Sequence, residues 1–185
     1  MNPNPMNARA HKLGTTSISF ESHGFQGGNP LTTDMRQPSV KEHLLILRES
    51  GGSKDLTSSI AQLPCGEELK AGLNLLNGNW EAAHQRVQTL KGSLAAHWHG
   101  IIHRREPDFG NAKYWFRQVP PNSLFASLLA SAHQLGKAHL VAHDNQWDPL
   151  KFIDCCADAG QREWTRVLDP MEVDLLLDYC LEREP

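Results

Sequence analysis

The sequence predicts an all-α domain of antiparallel helical hairpins preceded by a flexible N-terminal tail. Three observations carry that prediction. From Ser39 onward apolar residues recur at helical rather than strand spacing. Short Gly, Pro, Asn and Asp clusters punctuate the segments at Gly78-Asn79, Gly92-Ser93 and Pro107-Asp108. The stretch Leu69–Leu90, moved along the chain by 29 residues, lands on Trp98–Val119 with apolar positions matched.

Residues 1–38 carry Pro3, Pro5, Pro30 and Pro38 with Gly14, Gly24, Gly27 and Gly28 and no sustained periodicity. Such a stretch buries too little to offset the entropy of ordering it, so it reads as a tail with a short extended piece at Thr16–Phe20. The single helical domain spans 39–185. Ser39 and Glu42 have capping-box spacing, and Val40, Leu44 and Leu47 mark the face of a first helix closed by Gly51-Gly52. A short helix follows around Lys54–Gln62. Leu69, Leu73 and Leu76 mark the next, and Trp80, Ala83, Val87 and Leu90 the one after it. Ser93 is placed to cap a helix carrying Leu94, Trp98, Ile101 and Ile102, which Pro107 stops. Phe109, Ala112, Phe116 and Val119 then repeat the offsets of Trp80–Leu90. Leu124, Leu128 and Leu135 predict a further helix with a break at Gly136. Asp148-Pro149 reads as a cap and first helical residue ahead of Leu150, Ile153 and Ala157. A last helix is predicted to start at Asp169, with Pro170 first, Glu172 third and Leu168–Val173 as a hydrophobic staple.

The matched stretches follow the logic of a helical hairpin: an apolar face, a tight turn, an aromatic at the start of the return helix and a small Ala at the crossing. Generic helix pairs with agreeing offsets are the alternative. Gly100, Pro107-Asp108-Phe109, Ala112 and Phe116 resemble a degenerate tetratricopeptide or Sel1-type repeat, with Pro in place of the turn Gly and a shorter period. More specifically, Trp98-His99 through His103-Arg104-Arg105-Glu106, Asp108, Asn111 and Lys113-Tyr114-Trp115-Phe116-Arg117 resembles a signature of a family of uncharacterised bacterial and fungal proteins. Trp147-Asp148-Pro149 with Phe152 and Asp154 resembles that family's second block. The resemblance implies a helical fold and a functionally dense region; it implies no reaction.

Composition narrows the function classes. The 18 Lys and Arg nearly balance 21 Asp and Glu, for a net charge of −3, which provides no long-range field for nucleic acid or an anionic membrane. No apolar run approaches the roughly 20 residues of a membrane helix. Asp148–Pro185 holds ten acids and four bases, an acidic face that reads as solvated surface. Cys65, Cys155, Cys156 and Cys180 have no CxxC spacing, and the adjacent pair cannot form a bridge of normal geometry, so reduced thiols are expected. Residues 1–20 lack a secretory apolar region. Arg9 and Lys12 among Ser and Thr have transit-peptide composition without an amphipathic Arg-rich helix, which leaves a cytoplasmic protein as the expectation.

Candidate chemistry concentrates in His97–Arg117. His99 and His103 stand at i, i+4 and project from one helix face, the spacing helical metal sites use, and Glu106 continues the stripe. His139 and His143 repeat that spacing. Gly100 occupies the place of the Glu in zinc hydrolase signatures, and in a chain with ten His such pairs also arise as ordinary core or surface residues. In an enzyme reading His99, His103, Glu106 and Asp108 are the metal-ligand or acid/base candidates. In a binding or scaffold reading, Trp98, Tyr114 and Trp115 are apolar walls and Arg104, Arg105, Asn111, Lys113 and Arg117 are polar anchors. That surface suits a protein, a peptide or a small anionic ligand. The purely structural alternative makes Asp108 a helix cap, pairs Arg105 with Glu106 or Glu81, and puts Trp115 in the core. Tyr114-Trp115-Phe116 covers about 200° of helix circumference, so at least one ring faces outward. No nucleophile elbow, phosphate loop or dinucleotide fingerprint is present, and no organic cofactor is expected.

Overall fold

The computed structural model describes residues 39–50 and 56–184. The expected tail, its extended piece and the Gly51-Gly52 stop lie outside them. Among these described residues, ten α-helices and a two-residue-per-strand β-hairpin follow in order. The helices are α1 (Val40–Ser50), α2 (Leu56–Gln62), α3 (Glu67–Leu76), α4 (Trp80–Val87), α5 (Ser93–Arg105), α6 (Phe109–Phe116), α7 (Ser123–Gln134) and α8 (Ala138–Val141). Strands β1 (Ala142–His143) and β2 (Gln146–Trp147) come next, then α9 (Pro149–Ala157), a 3-10 turn (Ala159–Gln161) and α10 (Arg162–Leu181). The fold is all-α. No helix among the described residues is long and apolar enough to cross a membrane.

The capping box of α1 forms as its spacing predicts, with Glu42 N–H donating to Ser39 Oγ (3.3 Å) and Ser39 N–H to the Glu42 carboxylate. Leu44 and Leu47 are buried on the inner face. Three hairpins follow, α3–α4, α5–α6 and α7–α8, and their turns are built alike. The amides of Asn79, Asp108 and Lys137 donate to the carbonyls of Asn74, His103 and Ala132 at 2.9, 2.9 and 2.8 Å. Each set stands 29 residues after the last. Asn79 and Asp108 cap the return helices by accepting from Ala82 and Asn111 N–H, both at 3.1 Å. Ala83, Ala112 and Val141 occupy the crossing points and are fully buried, which lets the paired helices approach closely.

The middle residue of each turn has positive φ: Gly78 at 77°, Pro107 at 30° and Gly136 at 67°. Glycine accepts that conformation freely; a proline ring prefers φ near −65° and provides no N–H. Gly78 N–H donates to Leu75 O and Gly136 N–H to His133 O, a bond that Pro107 cannot make. Pro107→Gly is therefore expected to raise stability by about 1 kcal/mol, after the entropy glycine adds to the unfolded chain. Urea unfolding measures it, and an unchanged or lowered midpoint contradicts the strain at this turn.

Several local expectations are corrected by the fold. Trp80 begins α4 but is 54% exposed and anchors nothing, whereas Phe109 at the same place in α6 is half-buried. Ser93 is the first residue of α5 and makes no cap; Gly92, at φ 105°, precedes it. Leu135 lies outside α7 and is exposed, and Phe152 replaces Ala157 on the buried stripe of α9. The β-hairpin was not foreseen. Its turn residues Asp144 and Asn145 have φ 49° and 59°, the left-handed pair a two-residue hairpin needs, and both residue types tolerate it.

The largest correction concerns α10. It does not start at Asp169 but runs unbroken from Arg162 through Pro170. An interior proline costs a helix roughly 3 kcal/mol. The buried stripe Trp164, Leu168, Val173, Leu176, Leu177 and Cys180 spans both sides of the proline and holds the two halves on one axis. Asp169 is consequently free of capping duty and faces α5.

Candidate functional site

α5 is buried along ten of its residues, Ala95 to Arg104, and presents different chemistry on two sides. Toward α4 and α6 it carries His99 and His103. Their rings are nearly parallel, 5.0 Å apart, and Trp115 of α6 stacks on the other face of His99 at 3.9 Å. His84 of α4 meets both edge-on, with ring centroids 4.7 Å from His99 and 5.1 Å from His103. His99 Nε2 and His84 Nε2 are 2.9 Å apart and share a hydrogen bond. One ring nitrogen from each of the three lies within 4.8 Å of the others.

The surroundings fix these rings. Glu106, one turn beyond His103, places a carboxylate oxygen 3.2 Å from His103 Nδ1, and Asp108 stands at 4.0 Å. The Asn111 side-chain amide nitrogen lies 3.2 Å from His103 Nε2. His99 Nδ1 is buried and without a partner. Burial, reinforced by His84 and His103, holds the His99 imidazole down to about 4, and burial also lowers His103 against the pull of Glu106. His99 is therefore neutral at physiological pH, the protonation state in which imidazole coordinates a metal. Tetrahedral zinc, with Zn–N of about 2.0–2.1 Å, sets its ligand nitrogens roughly 3.4 Å apart, inside the 4.8 Å span of these three.

Of the sequence-predicted metal candidates, the structure brings His99 and His103 together and leaves His139 and His143 apart from them. His139 sits on the exposed side of α8, and His143 on β1 is exposed beside Asp144 at 3.5 Å. The i, i+4 spacing fails there because the helix ends at Val141 before His143 is reached. His84 was missed. It stands seven residues before Lys91 and His99 seven after Gly92, so a chain that doubles back at that turn sets them opposite each other. That symmetry about the turn is a signal the i, i+4 search does not contain.

The opposite side of α5 is a buried ion network. Arg104 Nη2 is 2.6 Å from both Asp169 and Glu172, and Arg105 Nε donates to Asp169 at 2.8 Å. Glu172 also accepts His97 Nε2 at 2.8 Å. Arg104 is stacked over Phe152, 4.7 Å from the ring centre. Burial works against each charge, but Arg104 and its partners more than reverse it: Glu172 and Asp169 are held below the usual carboxylate range and Arg104 above its ordinary value.

The expected binding surface thus divides. Trp98 is core, with no surface at all, and Arg104 is 4% exposed, so neither reaches a partner directly. Arg105 pairs with Asp169 rather than with Glu106 or Glu81. Lys113 pairs with Asp154 of α9, and Asn111 turns to His103. Asp108 is the cap of α6, and Trp115 backs His99. Tyr114 is 57% exposed, and Arg117 is exposed. Burial pushes the Cys156 and Cys180 thiols up to about 12 and Cys65 to about 11, and it raises Cys155 as well, which favours the protonated form of each.

No family model, curated protein or solved structure matches this chain.

Proposed function

We propose that the protein binds one divalent late-transition ion, of the zinc class, through His84, His99 and His103. The observation that carries this is the convergence of three imidazoles from two helices, with ligand atoms within 4.8 Å and His99 held neutral by burial. Three imidazole nitrogens suit zinc, copper or nickel rather than magnesium or calcium, which prefer oxygen. Glu106 acts as the carboxylate that orients His103, the outer partner that helical metal sites use to fix a ring. With three protein ligands, a bound ion keeps a position for water or a substrate oxygen and supplies Lewis-acid chemistry of the hydrolytic kind. A cavity of about 570 Å³ lies beside Glu106, lined also by Leu75, Gly78, Trp80 and Arg105, and gives a small molecule room next to that carboxylate.

Elemental analysis and zinc titration of the full chain test the reading. About one equivalent is expected, with a thermal midpoint that rises on loading; at a free zinc concentration 100-fold above the dissociation constant the gain is about 2.7 kcal/mol. His84→Ala and His99→Ala each remove the rise, whereas His139→Ala leaves it intact. Substoichiometric metal with no dependence on His84 eliminates the proposal.

A second reading keeps the helical hairpins as a repeat-like binding module for a protein or peptide, in the manner the tetratricopeptide and Sel1 resemblance implies. The exposed Tyr114 ring, packed edge-on against Trp115 at 5.2 Å beside exposed Arg117, favours it. Its mark is a partner lost on Tyr114→Ala with folding unchanged.

A further inference from the structure

We propose that the groove between the α5–α6 turn and the first two turns of α10 binds a phosphate group, as inorganic phosphate or as a small phosphomonoester. This site is separate from the imidazole cluster and does not rest on the metal reading. The groove encloses about 550 Å³, and four guanidinium groups line it, Arg104, Arg105, Arg162 and Arg166, against Asp169 as its one acid.

The charges do not cancel. Asp169 accepts from both Arg104 and Arg105, and Glu172 behind the wall takes Arg104 Nη2. Arg104 Nη1 is still buried and without a partner. Arg162 and Arg166 are exposed and have no acidic partner among the described residues. They are four residues apart, on one face of α10, so both forks reach the same space. They also sit at the positive end of the helix dipole, where a cation is disfavoured unless an anion offsets it. A concave wall with surplus positive charge focuses field on its interior.

The shape of the donors selects the ligand. A carboxylate has two oxygens and is saturated by one guanidinium fork. Two forks and the flank of Arg105 need more acceptors and more charge, which the three terminal oxygens and near-double charge of a phosphate group supply. Pro107 and Phe109 line the same groove and give an apolar bed to the organic part of an ester.

The experiment titrates the full chain with inorganic phosphate and with phenyl phosphate at constant ionic strength and pH 7.5. Phosphorus-31 line broadening and calorimetry report binding. Saturable binding is expected, with Arg162→Gln/Arg166→Gln weakening it at least tenfold while circular dichroism stays unchanged. The single variants Arg162→Gln and Arg166→Gln each give an intermediate loss, which keeps the test decisive if the double variant folds poorly. Arg183→Gln, whose guanidinium lies over Tyr179, leaves affinity unchanged. Tighter phenyl phosphate than phosphate identifies an ester as the occupant; equal affinities identify the free ion. His84→Ala binds phosphate like the wild type, which separates this site from the metal site. Absence of saturation, or wild-type affinity in the double variant, overturns the proposal.

Discussion

Arg104→Met is expected to destabilise the protein by about 3–5 kcal/mol at pH 7, the cost of leaving buried acids without their cation. In a chain of this size that lowers the thermal midpoint by roughly 10 °C. Glu172 is fully buried and loses its guanidinium partner, and among the described residues Asp169 keeps only Arg105. Methionine fills much of the aliphatic volume between Phe116 and Phe152, so the loss reports charge more than cavity. The pH dependence follows from the direction of the shifts. Asp169 and Glu172 have folded values below their unfolded ones, so their stabilisation is present above the unfolded value and is lost as pH falls through the lowered folded one. In the variant that depression is weakened, because against the cost of burial Glu172 keeps only His97 and Asp169 only Arg105. The gap between wild type and variant therefore narrows below about pH 4. Urea unfolding from pH 3 to 8 measures both. A loss under about 1 kcal/mol at pH 7, against the 3–5 expected, means the network does not tie α5 to α10.

Gly100→Ala is the second large effect, and its sign runs against helix propensity. In an open helix the change gains about 1 kcal/mol. Here a Cβ on Gly100 meets Phe116 Cδ2 at 2.4 Å and Cε2 at 2.6 Å, closer than carbon atoms approach. Phe116 cannot withdraw, because it packs against His97 at 5.2 Å and under Arg104 at 5.7 Å. Overpacking costs about 1–3 kcal/mol beyond the propensity gain, so a net loss near 2 kcal/mol is expected. Phe116→Leu in the same chain restores part of it, with a coupling of about 0.5–3 kcal/mol between the two sites. Additive single effects in the double-mutant cycle contradict the contact.

Much of the local architecture was legible. Ser39, Asp108 and Asp148 stand where helices begin because a short polar side chain satisfies amides two or three residues ahead, an interaction complete within one turn; Asn79 and Asn122 cap in the same way without having been read as caps. Gly78 and Gly136 mark stops for an equally local reason. Pro170 misled because the same rule makes a proline a helix start, and only the apolar stripe running past it on both sides overrides that preference. Asp144-Asn145 misled in the other direction, since it lacks the glycine that usually advertises a hairpin.

The candidate site was half legible. His99 and His103 are one turn apart and share a face in any helix; His84 joins them only through the way α4 and α5 cross. Arg104 and Arg105 look like free anchors on paper. Asp169 and Glu172, more than sixty residues away, make Arg104 a wall rather than a hand. The chain alone settles what acts within a turn or two of backbone: the helices, their ends, the spacing of their apolar faces. Which charges are cancelled and which imidazoles meet is settled by packing, because those distances depend on where separate helices are held against one another.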